Sequence, residues 1–192
     1  MLRGSKRSLA ILLLAAAGWG IAAGAQTLAP ASSHSLTEAE ARALLEAAYA
    51  ENRRAHLAKD LDAVLRQRSA DFQAILPDGR IVTAEQQAEA SRNLLANVDW
   101  VDLSLVVGAI RINGEELAAD VTQHTIRRQM RDGALRRIEN WVIQTETWIR
   151  TPEGLRLRRV ENLRDQCVLI DNRIREGINP DACRRHGVTN GN

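Results

Sequence analysis

Two charged residues near the end of the chain, Arg159 and Glu161, stand in a stretch that alternates with leucines. Residues two apart in a β-strand share a face, so both charges would face the apolar side with Leu157 and Leu163. A buried charge is costly unless it is paired or meets solvent or a ligand. A carboxylate in such a place can act as a general base, and a guanidinium can stabilise developing negative charge. We therefore predict Glu161 and Arg159 as the catalytic candidates.

The preceding strand would supply hydroxyl groups to the same site. Continuing the register across the turn at residues 152–154 pairs Arg159 with Thr147 and Glu161 with Thr145. A β-bulge beside Arg159 would instead turn both charges into solvent, and bulges are common in curved sheets. The first alternative predicts the wall of a ligand pocket.

Three more residues complete the predicted pocket. Gln123 lies an even number of residues from the apolar residues of its strand, so it shares their face. Tyr49 and Trp141 are the aromatic residues expected to close the cavity. The expected core-facing residues of the strand that holds Trp141 also include Ile143 and Ile149.

Asp120 and His124 form a second pair that could act as base or proton donor. They lie four residues apart, so they share one face of a strand. A three-residue loop at Asp132-Gly133 would send both side chains to the outer face, whereas a two-residue turn would set His124 beside Trp141 in the cavity. The apolar pattern favours the first arrangement.

Periodicity predicts the elements that must position these residues. Helical spacing begins at Ser35 with Glu38, or at Thr37 with Glu40, and continues to about residue 58. A short helix capped by Asp60, a small hairpin around residues 72–82 and a helix opened by Thr83 follow. Four long strands over 100–112, 117–130, 135–149 and 155–163 are joined by turn signals. The predicted fold class is α+β, with a four-strand meander and a short hairpin packed on three N-terminal helices.

Several short segments resemble the SnoaL-like and ketosteroid-isomerase-like domains of the nuclear-transport-factor-2-like superfamily. They are residues 59–65, 70–72 and 77–80, together with Thr147-Trp148-Ile149 before a Glu-Gly turn. The last strand departs from the pattern, because Leu155-Arg156-Leu157 stands where many such domains have a tryptophan. The resemblance covers about residues 36–165. It implies a cone-shaped curved sheet, a fold that hosts isomerases, dehydratases, hydrolases and many non-catalytic binders.

The N-terminus indicates export. Residues 1–25 combine a basic start, an uncharged Leu- and Ala-rich run and a small-residue cleavage site at 23–25, which is typical of a signal peptide. We expect cleavage after Ala25, a linker over 26–34, a domain over 35–165, a C-terminal tail over 166–192, and a periplasmic or secreted location. An uncleaved segment would instead anchor the chain in a membrane. Export makes nucleic acid an unexpected partner, and the 26 basic and 24 acidic residues nearly cancel, so no net charge would attract one.

Two cysteines, Cys167 and Cys183, lie 16 residues apart in the tail. In an exported chain without a third cysteine they are expected to form a disulfide. The sequence contains no phosphate-binding glycine loop and no metal-ligand spacing, so neither a cofactor nor a metal is predicted.

These observations favour an exported domain that binds a small, largely apolar ligand without necessarily catalysing a reaction. One alternative is an isomerase, dehydratase or hydrolase that uses a carboxylate base, and another is an envelope assembly component. A homodimer is also expected, through an outer face on which Trp148 and Val142 would be exposed.

Overall fold

The computed structural model describes residues 36–188, and the predicted signal peptide, the linker and the last four residues lie outside that range. The helices are α1 (Glu38–Leu57), α2 (Leu61–Arg66), α3 (Ala84–Asn97) and α4 (Pro180–Arg185). The strands are β1 (Arg68–Ile75), β2 (Ile81–Thr83), β3 (Val98–Asn113), β4 (Glu116–Arg131), β5 (Ala134–Thr151), β6 (Gly154–Ile170) and β7 (Arg173–Ile174). None of these helices combines the length and the apolar character that a membrane crossing needs.

Side-chain caps begin the helices at the predicted residues. Thr37 and Glu40 form a reciprocal capping box on α1, and Thr83 forms one with Gln86 on α3. Asp60 caps α2 by accepting a hydrogen bond from the amide of Ala63 at 2.9 Å. Each cap satisfies amide groups that the first helical turn leaves without partners.

The strands form one curved sheet in the order β2-β1-β6-β5-β4-β3, with β7 paired to β6. Strands β3 to β6 are the predicted antiparallel meander, and β1 joins β6 in parallel. Helix α1 packs on the inner face of the sheet, where Ala41, Leu45 and Tyr49 meet Leu117 and Trp148 in the main core. The predicted α+β fold class is confirmed.

The turn between β4 and β5 decides which face of β5 is buried. Arg131 pairs with Ala134 across a two-residue turn in which Asp132 and Gly133 have φ values of +52° and +75°. Asp-Gly favours this turn because both of its central residues need positive φ. The prediction of a three-residue loop is therefore wrong, and the pairing of β5 with β4 is shifted by one residue from the predicted register.

A one-residue shift exchanges the two faces of a strand. The even-numbered residues of β5 consequently face inward, and Val142 and Trp148 are 5% and 1% exposed. The predicted core-facing residues Trp141, Ile143 and Ile149 lie on the outer face instead. Because Trp148 and Val142 are buried, the exposed patch on which the dimer was predicted does not exist among the described residues.

A β-bulge in β6 determines the orientation of Arg159 and Glu161. Thr147 pairs with Arg159, as predicted, but Trp148 pairs with Leu157, so Arg158 is an extra residue in β6. Leu157 and Val160 face inward on either side of this irregularity. The bulge that sequence analysis left as the alternative is present, and it turns both charges to the outer face.

Strand β6 continues seven residues beyond its predicted end and carries the tail. The predicted disulfide between Cys167 in β6 and Cys183 in α4 is present, with the two Cα atoms 4.8 Å apart. Both cysteines are fully buried and pack with Leu169, Ile178 and Trp141. The disulfide therefore fixes α4 against the outer face of the sheet around Trp141.

Candidate functional site

A cavity of about 400 Å³ lies between the inner face of the sheet and helices α1 and α3. Its apolar walls come mainly from β1, α3, β3 and β6, and include Phe72, Val82, Leu94, Val101, Leu103, Leu105, Leu157, Val160 and Leu163. Polar side chains reach it from α1, β1, β4 and β5. An apolar pocket with a few convergent polar groups is the usual form of a small-molecule site.

Glu146 is the polar centre of this cavity. The Tyr49 hydroxyl donates to Glu146 Oε2 at 2.9 Å, and Trp148 Nε1 donates to the same oxygen at 3.0 Å. Gln144 Nε2 donates to Oε1 at 2.6 Å. Glu146 is 3% exposed, and these three donors fix its orientation.

Burial raises the pKa of Glu146 above its ordinary value, even though the three hydrogen bonds and the charge of Arg68 act in the opposite direction. Burial, reinforced by the Glu146 carboxylate, also raises the pKa of Tyr49, so its hydroxyl stays protonated and remains a donor. A buried carboxyl group with a raised pKa can exchange a proton with a bound molecule.

Arg68 and His56 form another polar part of the wall. The Arg68 guanidinium lies 5.6 Å from the centre of the Phe72 ring and donates to Ser91 Oγ at 3.3 Å. His56 Nδ1 lies 2.9 Å from the carbonyl oxygen of Asn52. Burial lowers the pKa of His56, which makes the neutral imidazole its main form at pH 7.

A strip of amides and a hydroxyl extends from Glu146 along the sheet. Gln144 Nε2 also donates to Gln123 Oε1 at 3.3 Å, and Gln123 Nε2 donates to Thr125 Oγ1 at 3.1 Å. These bonds link Glu146 to polar groups on β4. The cavity thus offers a continuous polar strip beside apolar walls.

Two of the seven predicted pocket residues, Tyr49 and Gln123, line the cavity. The other five, Trp141, Thr145, Thr147, Arg159 and Glu161, do not. Thr145 lies opposite Glu161, and its hydroxyl donates to the outer-face residue Asp120 at 2.8 Å. Arg159 is exposed. The inward orientation predicted for the Arg159 and Glu161 pair is therefore wrong.

Three residues of the cavity wall, Glu146, Gln144 and Arg68, are not among the predicted pocket residues. Glu146 and Gln144 were assigned to the outer face because β5 was expected to bury Trp141 and Ile143. The signal that identifies them is the Asp132-Gly133 dipeptide, which favours a two-residue turn and so determines the register of β5. Arg68 was missed because β1 begins four residues earlier than predicted.

Asp120 and His124 lie on the outer face, which was the favoured placement, although the turn is the shorter one. His124 pairs with Trp141, as a two-residue turn requires, but Trp141 itself faces outward. The two rings stack with centroids 4.3 Å apart, and His124 Nε2 lies 2.8 Å from Glu139 Oε1. Neither Asp120 nor His124 can therefore act on a molecule in the cavity.

Within residues 36–188, no three His, Cys, Asp or Glu side chains are grouped so that they could hold a metal ion. The arrangement in the cavity is instead suited to hydrogen bonding and proton transfer.

No family model matches the sequence, and no curated protein is significantly similar to it. Solved structures do resemble it. A protein classed as an NTF2-like dehydratase from Streptomyces avermitilis superposes with a TM-score of 0.53 at 15% identity, covering 65% of this chain and 95% of its own. A protein classed as an aromatic ring hydroxylase from Novosphingobium aromaticivorans gives a TM-score of 0.56 at 19% identity, covering 65% and 89%. A protein from the same organism classed as a scytalone dehydratase gives a TM-score of 0.53 at 10% identity, covering 64% of this chain and 82% of its own. With its curved, unclosed sheet packed on N-terminal helices, the chain has the nuclear-transport-factor-2-like fold.

Proposed function

We propose that this chain is an exported protein whose cavity binds a small, largely apolar molecule. The cavity of about 400 Å³ carries the proposal, because its apolar walls converge on hydrogen-bonding groups around Glu146. Such a site can remove the body of a ligand from water and orient one polar group of it.

Two observations support export. Residues 1–25 have the pattern of a cleaved signal peptide. The Cys167–Cys183 disulfide is compatible with an oxidising compartment. N-terminal sequencing of the protein recovered from periplasm or medium should begin at Gln26, and an intact Met1 in a membrane fraction would contradict cleavage.

Binding can be tested with 2-naphthol by isothermal titration calorimetry. Ala74 lines the cavity from β1, so Ala74→Phe should fill part of it and weaken binding at least about tenfold. Ala118→Phe makes the same change on β4, at an outer-face position opposite Thr147. This control should bind 2-naphthol like the parent. Equal binding by all three proteins would place the probe outside the cavity.

The second candidate is an enzyme in which Glu146 is the general base. Its support is the buried carboxyl group itself, which three donors hold in place and whose pKa burial raises. Two of the structurally similar proteins are classed as dehydratases, a reaction type that uses proton transfer. An apolar ketone in the cavity could lose an α-proton to Glu146.

Deuterium exchange at the α-carbons of 2-tetralone in D₂O, followed by NMR, tests this candidate without the natural substrate. The parent protein should accelerate the exchange, and Glu146→Gln should remove at least about 99% of that acceleration. Glu161→Gln alters a carboxylate on the outer face and should leave the rate unchanged. If the parent does not accelerate exchange, or if Glu146→Gln matches it, the binding function stands without this catalysis.

A further inference from the structure

The charges that line the cavity do not balance. Among the described residues of the lining, Glu146 alone is acidic, while Arg68 and Arg127 are both basic. Arg68 is close enough to Glu146 for their charges to interact. Arg127 has no such counter-charge among the described residues, which leaves one positive charge without compensation in a partly apolar cavity.

Arg127 has mainly apolar neighbours, which offer a cation few hydrogen-bond acceptors. On β3 its neighbour is Val101 and on β5 its neighbour is Ile138, and these side chains are 1% and 3% exposed. Its one hydrogen bond among the described residues runs from Nε to Gln129 Oε1 at 3.1 Å, and it makes no ion pair there. Arg127 is half-buried, and this burial, together with the nearby charge of Arg131, lowers the pKa of its guanidinium.

A polar group without a hydrogen-bond partner among the described residues lies beside Arg127. Asn140 pairs with Thr125, which places it diagonally across from Arg127 on the inner face of the sheet. Its buried Oδ1 accepts no hydrogen bond, and its amide makes none with any described residue. Buried polar groups are normally hydrogen-bonded, so this amide on the cavity wall points to a ligand. Its Nδ2 can donate to a carboxylate, whereas Oδ1 is an acceptor and needs a hydrogen-bond donor of the ligand.

We propose that the cavity takes a small molecule with an apolar body and a carboxylate, and that Arg127 binds the carboxylate beside Asn140. This inference rests on the proposed binding function and specifies the class of ligand. The planar guanidinium matches the two oxygens of a carboxylate. Gln129 accepts from Nε, and the two terminal nitrogens make no hydrogen bond with any described residue. When Glu146 is ionised, a single negative charge on the ligand also balances the charges of the cavity, which fits a carboxylate better than a phosphate dianion.

Three eight-carbon probes, octanoate, octanamide and octylamine, share an apolar chain and differ in the charge of the head group. Isothermal titration calorimetry should show that octanoate binds at least about tenfold more tightly than octanamide, and that octylamine binds most weakly. Arg127→Met keeps an unbranched apolar side chain as far as the position of Nε and removes the charged guanidinium group, so this preference should disappear. Arg128→Met is the matched control, because Arg128 is 55% exposed and pairs with Asp99 at 2.8 Å.

Equal binding of octanoate and octanamide would overturn this inference and leave the binding function intact. A preference that survives Arg127→Met, or that only Arg68→Met removes, would also overturn it. If none of the three probes binds, both the inference and the proposed function fail for ligands of this size.

Thermal unfolding of the ligand-free protein gives a second readout. A cation held in apolar surroundings for a ligand destabilises the empty protein, so Arg127→Met should raise the Tm by about 5 °C, whereas Arg128→Met should not. A lower Tm for Arg127→Met would indicate a structural role and contradict the assignment.

Discussion

The Tyr49 hydroxyl on helix α1 donates to Glu146 on strand β5 at 2.9 Å, across the boundary between the helical layer and the sheet. Trp148 Nε1 lies 3.2 Å from the same hydroxyl, and its ring contacts Tyr49 edge-on at a centroid distance of 5.4 Å. The three side chains therefore fix one another in a buried group that joins the core to the cavity.

The first prediction concerns the hydrogen bond between Tyr49 and Glu146. Tyr49→Phe removes one donor from a buried carboxylate and should lower the free energy of unfolding by about 1.5–3 kcal/mol. In a double-mutant cycle with Glu146→Gln, urea unfolding should give a coupling energy above about 0.5 kcal/mol. Additive effects would show that the two side chains do not interact in solution.

The second prediction is a pH dependence that originates from Glu146. Burial raises its pKa in the folded state above the ordinary value of 4.5, so the folded protein binds more protons than the unfolded chain above that pH. The stabilisation is complete below about pH 4.5 and is lost as the pH rises toward the folded pKa, by at most about 1.4 kcal/mol per pH unit.

Glu146→Gln cannot titrate, so the comparison isolates this group. The free energy of unfolding of Glu146→Gln relative to the parent should increase between pH 4.5 and pH 7, as measured by urea unfolding at each pH. A difference that stays constant over this range would show that the pKa of Glu146 is not raised.

The third prediction separates the two faces of the sheet. Arg159→Ala and Glu161→Gln should each change the free energy of unfolding by less than about 1 kcal/mol, because both side chains lie on the outer face. Losses of about 3–5 kcal/mol would mean that the pair is buried and that the bulge in β6 is absent.

The fourth prediction concerns the disulfide. Replacing both Cys167 and Cys183 with serine should lower the free energy of unfolding by about 3 kcal/mol, because the bond closes a loop over 16 positions. Dithiothreitol should destabilise the parent and leave the double variant unaffected. Two free thiols in the denatured, unreduced parent would rule the bond out.

Local signals predicted much of this fold. The capping residues Thr37, Asp60 and Thr83 and the Cys167–Cys183 pair act over a few residues or through a single bond, so the sequence identifies them directly. The inner face of β4, including Gln123, also followed from alternation.

The residues of the site could not be predicted in the same way, because they depend on how β5 and β6 pair with their neighbours, and the alternation of apolar and polar residues does not determine that register. Trp141 and Trp148 are both apolar and have opposite parity, so the pattern of β5 fits either face. The two-residue turn at Asp132-Gly133 sets the register in which Trp148 and Glu146 face inward. The bulge in β6 arises from the curvature of the sheet, which is a tertiary property.

The central claim is that a small apolar molecule enters the cavity beside Glu146 and Trp148. The indole N–H of Trp148 points into this site, whereas Trp100 and Trp141 do not line the cavity. A titration of the ¹⁵N-labelled protein with 2-naphthol should shift the Trp148 indole cross-peak, assigned with Trp148→Phe, and leave those of Trp100 and Trp141 in place. A shift confined to Trp100 or Trp141, or no shift at saturating 2-naphthol, would contradict the claim.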